Sequence, residues 1–157
     1  MPPVEQTYVE RPPAPALADL VSSVFVQGVA PGTAPYRHRN VPNGSAELIC
    51  HVGAAPTVVG PLTRPVTNML APGTTIVGLR FRPGAAPSVL GVPASEFVDL
   101  VLDADAFWDR SGRMLGDLMA AAASPDEALA VLQAHVVGRL PDATRPDPLV
   151  AGAVREL

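Results

Sequence analysis

The stretch from Gly78 to Glu96, GLRFRPGAAPSVLGVPASE, limits the folds open to this chain more than any other. It starts with the alternation of a strand and breaks at Pro83-Gly84. It then crosses an elbow of small residues and ends at Pro93-Ala94-Ser95-Glu96, which has the pattern of a helix start running on to Leu100. Before the break the apolar residues recur with a period of two. After it they recur with the spacing of helices. The expectation is an α+β chain, a small β-barrel or sandwich followed by a cluster of helices.

Composition supports one folded domain. The chain has 157 residues, 48% hydrophobic and 17% charged, enough to bury a core. Its 19 prolines and 13 glycines suit short elements joined by many turns rather than a helical bundle. Aromatic residues make up only 4%, so the core must come from Val, Leu and Ala. A net charge of −4 disfavours direct nucleic-acid binding, which needs a dense positive surface. The lone Cys50 excludes an internal disulfide and fits a reducing compartment. With no apolar run of bilayer length and no signal pattern at the N-terminus, the expectation is a soluble cytoplasmic protein.

In chain order, residues 2–16 are proline-rich and read as an extended arm, either lying on the domain or partly disordered. The β-branched content of LVSSVFVQGV favours a strand. Pro42-Asn43-Gly44 predicts a hairpin joining strands Tyr36–Val41 and Ala46–Val52. The second strand places Ala46, Leu48, Cys50 and Val52 on one face and Glu47, Ile49 and His51 on the other. Thr57–Val59 and Leu62–Met69 are further short strands. TTIVGLRFR is the clearest, with Val77, Leu79 and Phe81 opposite Gly78, Arg80 and Arg82. Downstream, Asp105–Trp108 is a short turn whose Phe-Trp pair plugs the space between helices and sheet. Ser111–Ala123 is amphipathic, with Leu115, Leu118, Met119 and Ala122 on one stripe. Ser124-Pro125-Asp126-Glu127 combines an N-cap, a first-turn proline and a capping-box glutamate. It opens a helix with the apolar line Leu129, Leu132, Val136, Leu140, suited to packing on the sheet or on its twin in a dimer. Residues 141–146 read as a linker, and 147–157 as the start of a further helix.

Three segments, RHRNVPNGSAELICHVG, GPLTRP and GLRFRPGAAPSVLGVPASEFVDLVLDADAFW, together resemble the N-terminal domain of a subset of AraC-type transcription regulators. Those proteins carry an lPdGxxEL hairpin, a GxRFxPG strand end and an lGvPasEl helix start followed by a Leu-rich stretch and a Trp. The resemblance spans about residues 36–140, with Asn43 where the family has Asp. It implies a cupin-like sensor domain over 17–92 behind an arm at 1–16. It further implies a helical dimerisation segment over 93–140, and over 141–157 a linker and the start of a helix-turn-helix module that lies outside this chain. A homodimer and a small-molecule effector follow from the same resemblance, and DNA would be met only through that further module.

Chemistry-bearing residues are few. His38, His51 and His135 lack the His-x-His spacing of a cupin metal site, so neither a metal nor a cofactor is expected. Arg80 and Arg82 share one side of their strand, and Arg37, Arg39 and Arg64 lie on segments that could neighbour it. Paired guanidinium donors suit a carboxylate or phosphate, which gives an anionic or polar effector. The competing reading pairs these arginines with Glu47, Glu96 or Asp99. The candidate ligand set is Arg80, Arg82, His38, His51, Glu47, Arg64 and Trp108. Cys50 reads as a buried small hydrophobe, and Ser22, Ser23, Ser45 and Ser88 lack a nucleophile-elbow context. A non-enzymatic regulatory domain is the first reading. A small stand-alone cupin-like enzyme and a ligand-free dimerisation platform are the alternatives.

Overall fold

A computed structural model of the chain describes residues 3–140. Eight strands precede and interleave with the helices: β1 Gln6–Arg11, β2 Val21–Val29, β3 Tyr36–Asn40, β4 Glu47–His51, β5 Thr57–Val59, β6 Val66–Leu70, β7 Thr75–Phe81 and β8 Val101–Asp103. The helices are α1 Ala86–Leu90, α2 Asp105–Ala120 and α3 Pro125–Arg139. Six strands form one antiparallel sheet in the order β1-β2-β7-β4-β5-β8, and β3 pairs with β6 in a second, two-stranded sheet. The fold is α+β, a β-sandwich followed by helices.

The alternation of β7 organises both layers. Val77, Leu79 and Phe81 are fully buried in the main core, on the face that meets the helices. Val24 of β2, Leu48 and Cys50 of β4 and Val58 of β5 join them there. Burying this continuous apolar surface is the main favourable term for the fold. On the other face Phe25, Val29, Ile76 and Leu70 form a second, smaller core with Tyr36 and Ile49, which holds the two-stranded sheet in place. Gly78 makes this packing possible. A Cβ there would lie 2.6 Å from Phe25 Cζ and 2.9 Å from Ile49 Cγ2, so the Phe25 ring occupies the space a side chain would fill.

Several expectations need correction. Of the two readings of the arm, it lies on the domain rather than being disordered, and does so as sheet: β1 is the edge strand of the main sheet, paired with β2 from Gln6 to Arg11. Nor is there a hairpin between β3 and β4. Asn43 and Gly44 do form a turn, with Asn43 Oδ1 accepting from Ser45 N at 2.9 Å and Gly44 at φ 76°. That turn is a corner carrying the chain from the small sheet to the large one, where β4 pairs with β7 and β5. Val52 falls beyond β4 and is exposed. The expected helix from Pro93 shrinks to one 3-10 turn, Ala94–Glu96, after which β8 adds to β5. Backbone bonds explain the return to sheet: Gly60 N donates to Leu100 O at 2.8 Å and Asp99 N to Pro61 O at 2.9 Å, with Asp99 at φ 58°. The sheet therefore runs from Gln6 to Asp103, across both expected boundaries at 16/17 and 92/93. The change from strand to helix is also less clean than the residue pattern implies, because a short strand lies downstream of the Pro83-Gly84 bend and α1 lies within the bend itself.

The helical part follows its pattern more closely. Asp109 (φ 46°, ψ −122°) kinks α2 and separates the Phe107-Trp108 turn from the longer helix, as the two expected pieces require. Leu115 and Met119 are buried, but Leu118 is exposed. Ser124 Oγ accepts from Glu127 N at 3.1 Å, and Glu127 Oε2 accepts from Ala123 N at 3.0 Å, so the N-terminus of α3 is capped from both directions. Leu129, Leu132 and Val136 are buried in the main core, so this stripe packs within the monomer and is not open to a twin. The expected linker and last helix at 141–157 lie outside the described residues.

Two glycines give a stability test. Gly78→Ala should cost about 1–3 kcal/mol, because the Phe25 ring can shift to relieve the overlap. Gly60→Ala should cost more, about 4 kcal/mol or outright failure to fold, because the added Cβ would overlap the Phe97 backbone carbonyl, which has no freedom to move. Urea unfolding of both variants checks the order.

Candidate functional site

The sandwich leaves part of the main sheet uncovered. The small sheet sits over the Val29–Ile76 end of the outer face, while the end around Arg80 stays open. Ladder register builds a row of side chains there: Ser23 of β2 lies opposite Arg80 of β7, and Glu47 of β4 lies opposite Arg80 from the other side. One step along, Glu10 of β1 lies opposite Phe25, which lies opposite Gly78. The resulting open depression has a volume of about 520 Å³ and is lined by Glu10, Arg11, Pro12, Ser22, Ser23 and Arg80.

Arg80 is its centre. Nη1 donates to Glu10 Oε1 and Nε to Glu47 Oε1, both at 3.0 Å, and Nη2 donates to Tyr8 Oη at 3.3 Å. Ser23 Oγ donates to the same Glu10 oxygen at 2.8 Å. The guanidinium carbon lies 5.9 Å from the Phe25 ring centroid, and Tyr8 stacks on Phe25 at 5.5 Å. Burial works most strongly against the Arg80 charge, but the Glu47 carboxylate and the Tyr8 hydroxyl beside it together outweigh burial and raise the pKa above its ordinary value. Burial is also the main cause of the raised Tyr8 pKa, partly offset by Arg80. Two carboxylates face one guanidinium, so the cluster carries a net charge of about −1. An incoming anion therefore competes with two carboxylates already bonded to Arg80.

The structure brings together only part of the expected set. Arg80 and Glu47 meet. Arg82 lies past the end of β7 and donates from Nε to Ala18 O at 2.9 Å. His38 is in the small sheet, where Nε2 bonds Asn40 Oδ1 at 2.8 Å and Nδ1 lies 3.4 Å from Gln27 Nε2. His51 is exposed at the far end of β4, and Arg64 is on an exposed loop. That loop is fastened by Asp99, which accepts from Thr63 N and Thr63 Oγ1. These bonds lower the Asp99 pKa. Trp108 is buried beneath the helices with Nε1 donating to Val89 O at 3.4 Å, so it lines no part of the depression. Tyr8, Glu10, Ser23 and Phe25 complete the cluster and are absent from the expected set. The first two lie in the segment that reads as an arm, so only knowledge of β1–β2 pairing could place them.

The other chemistry-bearing residues are accounted for locally. Burial raises the Cys50 pKa, and its thiol donates to Ala54 O at 3.3 Å. Ser88 Oγ donates to Ala85 O at 2.8 Å. Among the described residues no three His, Cys, Asp or Glu side chains are grouped to hold a metal ion. A second depression of about 440 Å³ runs between the β4–β5 loop and α2, lined mainly by Gly and Ala with Asp103, Asp105, Arg113 and Asp117. No described helix is long and apolar enough to cross a membrane.

The fold and its depression thus define a β-sandwich domain backed by two long helices, with a polar cluster on its uncovered face. The model of the family described as a domain of unknown function, DUF6597, matches residues 9–103, and the chain belongs to that family. The matched span begins within β1 and ends at the last residue of β8, so it takes in most of the sheet and stops before α2 and α3. No curated protein and no solved structure matches the chain.

Removing Arg80 and removing one of its partners should differ. Arg80→Met leaves two partly buried carboxylates facing each other without a cation and should cost about 1–3 kcal/mol. Glu10→Gln removes only the more exposed partner and should cost less than about 1 kcal/mol. Urea midpoints measured for the two variants side by side give the comparison.

Proposed function

We propose that the chain is the sensing and dimerisation domain of an AraC-type transcription regulator, acting in the cytoplasm on a helix-turn-helix module that would follow it. The order of the three motif segments supports this reading, as does a β-sandwich succeeded by packed helices. The observation that carries it is the position of β1. Neighbouring residues of that strand point to opposite faces: Glu10 binds Arg80 in the depression, while Arg11 Nη1 donates to Asp126 Oδ1 of α3 at 2.9 Å. Just beyond, Ala14 N donates to Gln133 Oε1 of α3 at 2.7 Å. One strand therefore touches both the polar cluster and the last described helix.

The effector would be a small polar molecule with a carboxylate or similar anionic group that takes the place of Glu10 on Arg80. Such a ligand acts only through its preference for one arrangement of β1 over another. Dimerisation would fall to the outer face of α2, where Met114 and Leu118 are more than half exposed one turn apart. The internal pairing of Arg80 favours one alternative, a dimerisation platform that takes no ligand.

A panel of small carboxylates screened by thermal shift separates the two. On the sensing reading at least one stabilises the protein, Glu10→Gln raises its affinity by removing the internal competitor, and Arg80→Met abolishes binding. If no member binds, or if binding ignores both substitutions, the sensing role is lost. Light scattering on the Met114→Glu/Leu118→Glu variant tests the dimer surface, which requires a monomer. A coding sequence that continues past Leu157 without two helix-turn-helix motifs would remove the regulator assignment itself.

A further inference from the structure

The contact between α2 and α3 holds a group of side chains that the sheet does not require. His135 of α3 is half-buried against α2, its ring centroid 4.7 Å from that of Trp108 and its Nε2 3.4 Å from Ser111 Oγ. One turn further along α3, the Arg139 guanidinium carbon lies 5.7 Å from the centroid of the same Trp108 ring. Arg139 Nε is buried with no hydrogen-bond partner among the described residues. Two basic side chains thus share one indole.

Among the described residues, the surroundings offer them no compensating acid. From α2, the groups that meet His135 are Trp108 and Ser111, neither of which is charged. The strands β2 and β7 turn apolar side chains toward the helices, and the turn Pro15–Leu17 contributes Leu17 to the same core. The Arg11–Asp126 pair lies at the opposite end of α3. Among the described residues, the one charged group that bears on His135 is Arg139 on its own helix. Burial first, and Arg139 second, lower the His135 pKa below its ordinary value of 6.5.

We infer that this contact is a proton-sensitive clasp: neutral His135 closes α3 onto α2, and its protonation in mild acid loosens the C-terminal half of α3. A second positive charge beside the same indole, partly desolvated and facing no carboxylate among the described residues, disfavours the closed arrangement. The direction in pH follows from linkage. The unfolded ring titrates near 6.5 and the folded one below it, so the unfolded chain binds the proton more readily between those two values. The contribution of His135 to stability is complete above pH 6.5 and is lost as pH falls from there through the folded-state pKa. The clasp is separate from the Arg80 cluster and does not rest on the regulatory reading.

Trp108 is the chain's only tryptophan, so its emission reports on this contact directly. Protonated imidazole quenches a neighbouring indole. Emission of the full chain, titrated from neutral into mild acid, should change reversibly with a midpoint below 6.5. The change should be absent in His135→Gln. In Arg139→Gln the midpoint should move to higher pH, because the repelling cation is gone. A transition that persists in His135→Gln, or an unchanged midpoint in Arg139→Gln, overturns the inference. Should His135→Gln fail to fold, NMR titration of the His135 ring in the unsubstituted chain decides the matter instead: a midpoint below 6.5 upholds the clasp, and one at or above 6.5 refutes it.

Discussion

Strand β7 must satisfy two different neighbours at once, and most of the structure follows from how it does so. One face carries Val77, Leu79 and Phe81, none of which reaches solvent, and the helices exist in part to cover them. The other face alternates Gly78 with Arg80. Gly78 leaves room for the Phe25 ring, and that ring supports both Tyr8 and the Arg80 guanidinium. A single missing side chain thus sets the platform on which the polar cluster stands. The hydrophobic and polar sides are coupled through the same seven residues, so disturbance on one side is felt on the other.

The cluster has the character of a site already occupied from within. Arg80 retains about a quarter of its side-chain exposure (28%), so its charge is costly to leave unpaired, and Glu47 and Glu10 both answer it. Glu47 is the more buried partner at 23% and Glu10 the more exposed at 43%, which makes the bond to Glu10 the easier one to exchange. Ser23 holds that carboxylate in place by donating to it. Any molecule that binds there competes with a tethered carboxylate present at high effective concentration.

Much of the layout is legible in residue order, and the failures share a cause. The inward faces of β4 and β7 are legible because alternation is local: Leu48, Cys50, Val77, Leu79 and Phe81 are where their period of two puts them. The Ser124–Glu127 cap is legible for the same reason. Partnership is not. Asn43-Gly44 specifies a backbone turn and says nothing about which strand receives the chain afterwards, so residue order alone pairs β3 with β4 rather than β6. Val101–Asp103 is too short to show a period and follows a segment with helix-start chemistry, which hides β8. Glu10 and Tyr8 meet Arg80 across about half the chain, and nothing near either residue advertises the contact. The candidate set scatters because it draws together residues by chemical type, whereas sheet register decides which of them share a face.

The placement of β8 carries a consequence for how the protein is made. It is the last of the described strands to leave the ribosome, after the elbow and α1, yet it shields the outer edge of β5. Until Asp103 has emerged, a nascent chain displays the unsatisfied donors and acceptors of β5 and the apolar underside of the sheet together. Such a surface invites association between neighbouring chains on a polysome, and the two long helices that finally cover it are synthesised later still.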